Sequence, residues 1–337
     1  MSEVSTIGVD LAKSVFQLHG VDAEGRPVLR RQLRRSQMLE VFQNLPACLV
    51  GMEACASAHF WARELTKLGH EVRLMQPSYV KGYVKRGKTD KADAEAICEA
   101  VTRPSMRFVP VKSADRQALL MTHKVREFLV RQQTQTVNAI RAHLGEFGII
   151  VAKGIHNADR LIAACDRADL PAPARKALNL LADQLVDTQR KIAELTADIH
   201  ADAKANEAAQ RLQTIPGIGP ITASALVTTL PDVSDFRSGR DLSAWIGLTP
   251  KPHSTGGKER LGRISKMGNR YLRRLLYLGA IAQVSARRCG EPGEDWLWKI
   301  IERKKPKQAA IALANRMART AYALLKNGTE YRAPSPA

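Results

Sequence analysis

Near residue 113 the spacing of apolar residues changes from the period of strands to the period of helices, so no single layer architecture accommodates the whole chain. Before that point, Thr6–Asp10, Val15–Val21 and Pro27–Gln32 read as three strands, with Asp22–Gly25 carrying turn residues between the second and third. A β-meander therefore opens the chain. Helical spacing over Ser36–Leu45, an apolar run Cys48–Glu53, a helix His59–Leu68, a strand Glu71–Gln76 and a helix Lys91–Val101 follow. Strands that first alternate with turns and then with helices predict a mixed α/β sheet.

Beyond residue 113, Ala118, Met121, Val125, Phe128 and Leu129 share a helical spacing, as do Leu178, Leu181, Leu185, Ile192 and Leu195. Two long helices are expected. The stretch Gly145–Pro173 between them, with Gly148, Gly154, Pro171 and Pro173, reads as a shorter, interrupted connection, so an antiparallel, coiled-coil-like pair is the simplest arrangement. A spacer or subunit contact is the plain reading of this region. From Leu212 to Lys326 the pattern is mainly helical, broken by a polar, Gly-rich loop at Thr249–Gly262, and the tail after Arg332 is expected to be disordered. The expected division is thus 1–112, a helical middle 113–210, a helical C-terminal domain 211–327, and a tail 328–337.

Charge narrows the partner. The chain has 52 Lys and Arg against 33 Asp and Glu, a formal charge of +19, and Arg237 to the C-terminus holds 21 of the basic residues but only 7 of the acidic ones. Such an excess points to a polyanion, nucleic acid first, met mainly by the C-terminal third; a generically basic protein is the duller alternative. No run of about 18 apolar residues suggests a membrane span, and Met1–Val4 lacks the pattern of a signal peptide, so a cytoplasmic protein is expected. Cys48, Cys55, Cys98, Cys165 and Cys289 show neither CxxC nor zinc-finger spacing and read as reduced, mostly packing residues.

Against that background four acids stand out. Asp10 closes the first strand, Glu53 closes the strand Leu49–Glu53, and Asp90 and Asp93 lie three apart at a helix start, where they share one face. Singly, each has an ordinary explanation: a turn residue, a surface acid, or an N-cap with a first-turn acid. Together they describe a ribonuclease H-like nuclease layout. Gathered carboxylates suit a hard divalent cation such as Mg²⁺, and two such ions about 3.5–4 Å apart can assist an in-line phosphoryl displacement.

Two segments of the C-terminal third bear on nucleic acid. Gln213–Ser224 (QTIPGIGPITAS) matches a helix-hairpin-helix, in which Gly217 and Gly219 let backbone N–H groups approach a phosphate; a plain helix–helix turn is the alternative. Between Trp245 and Arg270, Ser254 lies beside Gly256 and Gly257 and close in sequence to Lys258, Arg260, Arg263 and Lys266. A serine hydroxyl needs a base or metal to become a nucleophile, and the only nearby base, His253, adjoins it in sequence, which guarantees no useful geometry. From the residues alone, an anion-binding loop without covalent chemistry is the simpler reading.

The segments VDLAK (9–13), GMEACASAHFWA (51–62) and KTDKADA (88–94), followed by WIGLTP (245–250), STGGK (254–258), LGRISKMGN (261–269) and YLRRLL (271–276), resemble the DEDD transposases of the insertion-sequence-110 family, relatives of the Piv DNA invertases. The resemblance implies a RuvC-like N-terminal domain in which Asp10, Glu53, Asp90 and Asp93 bind a divalent metal. It also implies a C-terminal domain whose serine, matched by Ser254 with Ser265 as the fallback, joins covalently to a cleaved DNA strand. A structured noncoding RNA that pairs with donor and target DNA, and a homo-oligomer, are further implications. Two other readings stay open on the residues: a Mg²⁺-dependent nuclease or junction resolvase that uses water, and a non-catalytic nucleic-acid binder.

Overall fold

The computed structural model describes residues 3–84, 89–167, 169–230, 232–253, 260–290 and 293–333. The chain divides into two compact units, Met1–Gln117 and Ala118–Ala337.

The first unit is built on a six-stranded sheet. Its strands are β1 (Thr6–Leu11), β2 (Val15–Val21), β3 (Pro27–Arg34), β4 (Leu49–Glu53), β5 (Glu71–Met75) and β6 (Phe108–Val109), in the order β3-β2-β1-β4-β5-β6. The first three form the expected antiparallel meander; β4 and β5 join parallel to β1, and β6 closes the edge antiparallel to β5. This order is consistent with a ribonuclease H-like layout. β6 was not expected, because two residues are too short to show a period. Helices α1 (Met38–Gln43), α2 (Ala58–Lys67), α3 (Pro77–Val80) and α4 (Asp90–Val101) cover the sheet. Ile7, Val9, Val50 and Met52 share one face of the middle strands and are fully buried, whereas Gly8 and Gly51 lie on the other face. Edge strand β3 instead exposes Arg31 and Arg34, which discourages further pairing.

The second unit begins with α5, which spans Ala114–Glu146 across the division, and continues through α6 (Ala158–Cys165) and α7 (Ala172–Ala205). Val137, Ile140 and Leu144 of α5 pack with Leu161 and Cys165 of α6 and with Leu178, Ala182 and Leu185 of α7. Since Arg126 Nε donates to Thr196 Oγ1 at 2.6 Å while the later part of α5 meets the earlier part of α7, the two long helices run antiparallel. The spacing located α5 but not its packed face. Met121 (61% exposed), Val125 (42%) and Phe128 (51%) lie outside the core of the unit, whereas His123 is buried.

His123 joins a polar cluster that ties four helices. After α8 (Glu207–Gln213) come α9 (Pro220–Thr229), α10 (Gly239–Ile246), α11 (Arg270–Arg288), α12 (Trp296–Arg303) and α13 (Pro306–Asn327). Ser224 Oγ of α9 donates to Asp202 Oδ2 of α7 at 2.8 Å. With that proton committed, His123 Nε2–H donates to Ser224 Oγ at 3.0 Å, leaving Nδ1 to accept from the Tyr271 hydroxyl of α11 at 3.1 Å. Burial pushes the imidazole down to about 4, so it is neutral at physiological pH.

The C-terminal core is helical and centred on Leu212, Leu226, Leu242, Leu272, Leu276 and Ala318. The turn between α8 and α9 contains Gly217 at φ 90°, and it sits directly on α11: a Cβ on Gly279 would stand 1.9 Å from the Gly217 carbonyl oxygen. Two strands interrupt the helices where only a loop was expected. β7 (Pro250–Pro252) pairs antiparallel with β8 (Leu261–Ile264). Pro250 and Pro252 hide this strand from sequence reading, and an isolated two-stranded arm is where prolines are tolerated. Cys48, Cys98 and Cys165 are buried packing residues, Cys55 and Cys289 are exposed, and all five are free thiols. Among the described residues no helix is long and apolar enough to cross a membrane.

Candidate metal centre and basic arm

Two glycines set the geometry of the acids. Gly8 of β1 and Gly51 of β4 are paired across the parallel ladder. A Cβ on Gly8 would stand 2.2 Å from the Ala94 carbonyl oxygen, and one on Gly51 would stand 2.8 Å from the Val101 side chain, so α4 lies directly on this bare patch of sheet. Side chains two apart on a strand share a face, which puts Asp10 and Glu53 on the same side as α4. They stand one residue beyond the last paired positions, Val9 and Met52, at the carboxyl ends of adjacent strands.

The helix runs back along β1. Cys98 Sγ reaches the Thr6 carbonyl at 3.7 Å, Ala94 lies over Gly8, and the first turn of α4 therefore arrives at Asp10. Thr89 is the N-cap, its side chain accepting from Ala92 N at 3.3 Å, so Asp90 is a first-turn residue and not the cap. Carboxylate oxygens of Asp10, Asp90 and Asp93 lie within 4.8 Å of one another. Glu53 stands outside that trio but feels it: burial, then Asp10, then Asp93 raise its carboxyl above the usual range. Asp10 is raised likewise by burial, then Asp93, then Asp90.

The chemistry of this donor set fits a hard cation. Partly buried like charges destabilise one another unless a counter-charge is supplied, and among the described residues no Lys or Arg forms an ion pair with any of the four acids. All the ligands on offer are carboxylate oxygens, the type that Mg²⁺, Mn²⁺ and Ca²⁺ take.

The basic segment forms an arm on the second unit. Its strands are closed at the far end by His253 N–H donating to the Arg260 carbonyl at 2.8 Å and at the near end by Ser265 N–H donating to Thr249 at 2.8 Å. Ser254, Gly256, Gly257 and Lys258 lie outside the described residues. Arg260, Arg263 and Lys266 are exposed, and Lys251, His253, Arg263, Ser265 and Lys266 line one open cleft. The His253 ring lies over Gly262, where a Cβ would come within 2.5 Å of it. Ser265 is half-buried, and its Oγ accepts from Met267 N at 3.4 Å. In the α8–α9 turn, the missing side chain of Gly217 is accounted for by its approach to α11, whereas Gly219 is exposed and precedes the first turn of α9. Lys251 and the Arg273 contacts described below were not expected, and β8, with the sequence LGRI, carries no period-two alternation that would mark it as a strand.

Comparison with known proteins agrees with the pattern of motifs. A family model described as "Transposase IS116/IS110/IS902 family" matches residues 209–292, and a second, DEDD_Tnp_IS110, described as "Transposase", matches residues 7–149. The chain is 49% identical over 337 residues to a "Probable family 20 transposase" of Pseudomonas aeruginosa, with 98% of this chain and 99% of that protein covered. It is 39% identical to the "Transposase for insertion sequence element IS1111A" of Coxiella burnetii, covering 98% and 92% respectively. The "Pilin gene-inverting protein" of Moraxella bovis is 24% identical over 78% of this chain and 74% of its own. With relatives this similar along its whole length, the chain belongs to the IS116/IS110/IS902 family of transposases.

Proposed function

We propose that this transposase cuts and rejoins DNA at the ends and target of an insertion sequence, with residues 1–112 acting as a metal-dependent domain, 113–210 as an oligomerisation region and 211–327 as the domain that supplies the nucleophile. The observation that carries the reading is the convergence of Asp10, Asp90 and Asp93 within 4.8 Å at the carboxyl edge of the sheet, with Glu53 adjoining. Mg²⁺ held by these four acids supplies the Lewis acidity that an attacking and a leaving oxygen need. The Ser254 hydroxyl attacks a DNA phosphorus and forms a phosphoserine ester, while the displaced 3′ or 5′ oxygen leaves with a proton. Because the ester conserves the energy of the phosphodiester, a DNA hydroxyl can reverse the step on a new strand. Lys258, Arg260, Arg263 and Lys266 hold backbone phosphates, and the α8–α9 turn, read as a helix-hairpin-helix with Gly217 and Gly219, adds contacts that position without reading sequence. Sequence choice then falls to a noncoding guide RNA, in keeping with a basic arm that offers phosphate contacts.

Denaturing gels test this. Protein, Mg²⁺, the element's transcript and end-labelled DNA are incubated together, and label should migrate with protein. Ser254→Ala should abolish that adduct; an adduct that persists transfers the role to Ser265. Cleavage with no adduct supports a water nucleophile instead, as in a resolvase, and no cleavage supports a DNA binder without chemistry.

A further inference from the structure

The arm is joined to the second unit through two tight turns that touch. The first ends α10: Gly247 adopts φ 82°, its N–H donates to Ala244 at 2.9 Å and the next N–H, that of Leu248, donates to Ser243 at 3.0 Å. Such a helix ending satisfies two carbonyls and leaves that of Ile246 without a backbone partner among the described residues. The second turn follows β8, where Lys266 takes φ 55° and Gly268 takes φ 74°. Lys266 is the only non-glycine residue at positive φ among the described residues, a conformation that persists only where surrounding contacts hold it. The turns interlock without side chains: a Cβ on Gly268 would stand 1.7 Å from the Trp245 carbonyl oxygen, and one on Gly247 would stand 2.0 Å from the Met267 carbonyl oxygen.

One side chain bridges them. Arg273, in the first turn of α11, donates from Nη1 to the Ile246 carbonyl at 2.7 Å and to the Met267 carbonyl at 2.8 Å. The first acceptor is the orphan carbonyl at the end of α10, where the helix dipole also favours a cation. The second belongs to the strained turn. α11 is itself anchored, because Asn269 caps it by accepting from Leu272 N at 3.1 Å and Leu272 and Leu276 are fully buried. Arg273 thus ties both feet of the arm to a fixed helix, and Lys266 N–H to Gly247 at 3.2 Å completes the joint.

We propose that Arg273 is a positioning residue for strand transfer: by holding both feet of the arm it fixes the base of β7 and β8 on α11. The proposal rests on the reading of Ser254 as nucleophile. A reacting group displaced by about 1 Å can lose about 100-fold in rate, so a loosened base should slow cleavage far more than it weakens binding.

The test uses the full-length protein as Arg273→Ala, Arg273→Gln and Arg273→Lys, with Ser254→Ala alongside. Amide hydrogen exchange at Ser265 and Lys266 should quicken at least about 10-fold in Arg273→Ala. Single-turnover cleavage of the labelled DNA should fall about 10- to 100-fold while DNA affinity stays within about 3-fold. Gln retains a donor without the charge and should recover part of the lost rate. Unchanged exchange in Arg273→Ala overturns the proposal. So does a parallel loss of affinity and cleavage that Lys restores and Gln does not, which marks a phosphate contact. If Arg273→Ala does not fold, the Gln and Lys variants carry the same readouts. Wild-type cleavage without an adduct, or an adduct surviving in Ser254→Ala, defeats the serine reading alone, since the exchange measurement still decides whether Arg273 holds the arm.

Discussion

The acidic centre and the basic arm are built by opposite rules. The acids sit at the ends of buried strands and on the first turn of a helix pressed onto the sheet, so main-chain packing sets their spacing. The arm's cations project from short exposed strands and are placed by the chain's local turns. The contrast matches the roles proposed for each. Metal ligands need fixed distances, whereas contacts to a phosphate backbone add charge and tolerate looser placement. It also shows in energy, because the acids oppose one another within the fold while the arm's cations are solvated.

The sharpest way to break this contrast is Asp10→Asn or Asp93→Asn. Cleavage should fall by at least about 1,000-fold, as expected for loss of a group acting in the transition state, while the melting temperature of the metal-free protein holds or rises because a like charge is gone. A melting temperature that drops instead would mean that these acids stabilise the fold. Next, Gly8→Ala should destabilise the first unit by about 3 kcal/mol, since the added methyl meets the backbone of α4 and not a flexible side chain. Chemical denaturation measures it, and a neutral result would show that α4 can lift.

The two units should also answer pH with opposite signs. His123 is neutral when folded and titrates at about 4, against an ordinary value near 6.5 when unfolded, so the unfolded chain binds the extra proton. Stability of the second unit should be complete above about pH 6.5 and decline by roughly 3 kcal/mol as pH falls toward 4. In the first unit Asp10 and Glu53 are raised, so the folded form binds protons more readily and the metal-free unit should lose stability as pH rises through the raised values. Hydrogen exchange resolved by unit reads both trends, and equal pH profiles would erase the distinction. The smallest effect is expected at the arm. Arg263→Ala should weaken DNA binding several-fold and lower the slope of log affinity against log salt by about 1, with the melting temperature unchanged.

Much of the first unit was legible because its elements carry their periods openly: the meander, β4, β5 and α4 fall within a residue or two of where spacing places them. Asp10 and Glu53 could be read as neighbours because both close apolar strands, and Asp90 with Asp93 because they start a helix. What sequence could not give depends on partners far away in the chain. The bare helix-facing patch needs Gly8 and Gly51 brought into register, and the joint of the arm needs Arg273 brought to Ile246. The packed face of α5 was missed for the same reason, since Met121 and Phe128 keep helical spacing while His123 is the residue that finds buried partners. The arm's strands were obscured by prolines at two of the three residues of β7.

The Gly8 contact bears on how the acid cluster could be lost. Because the backbone of α4 lies directly on Gly8, a larger residue there must push the first turn of the helix away from β1, and Asp93 away from Asp10. Damage to the cluster can in this way arise from a substitution that removes no carboxylate.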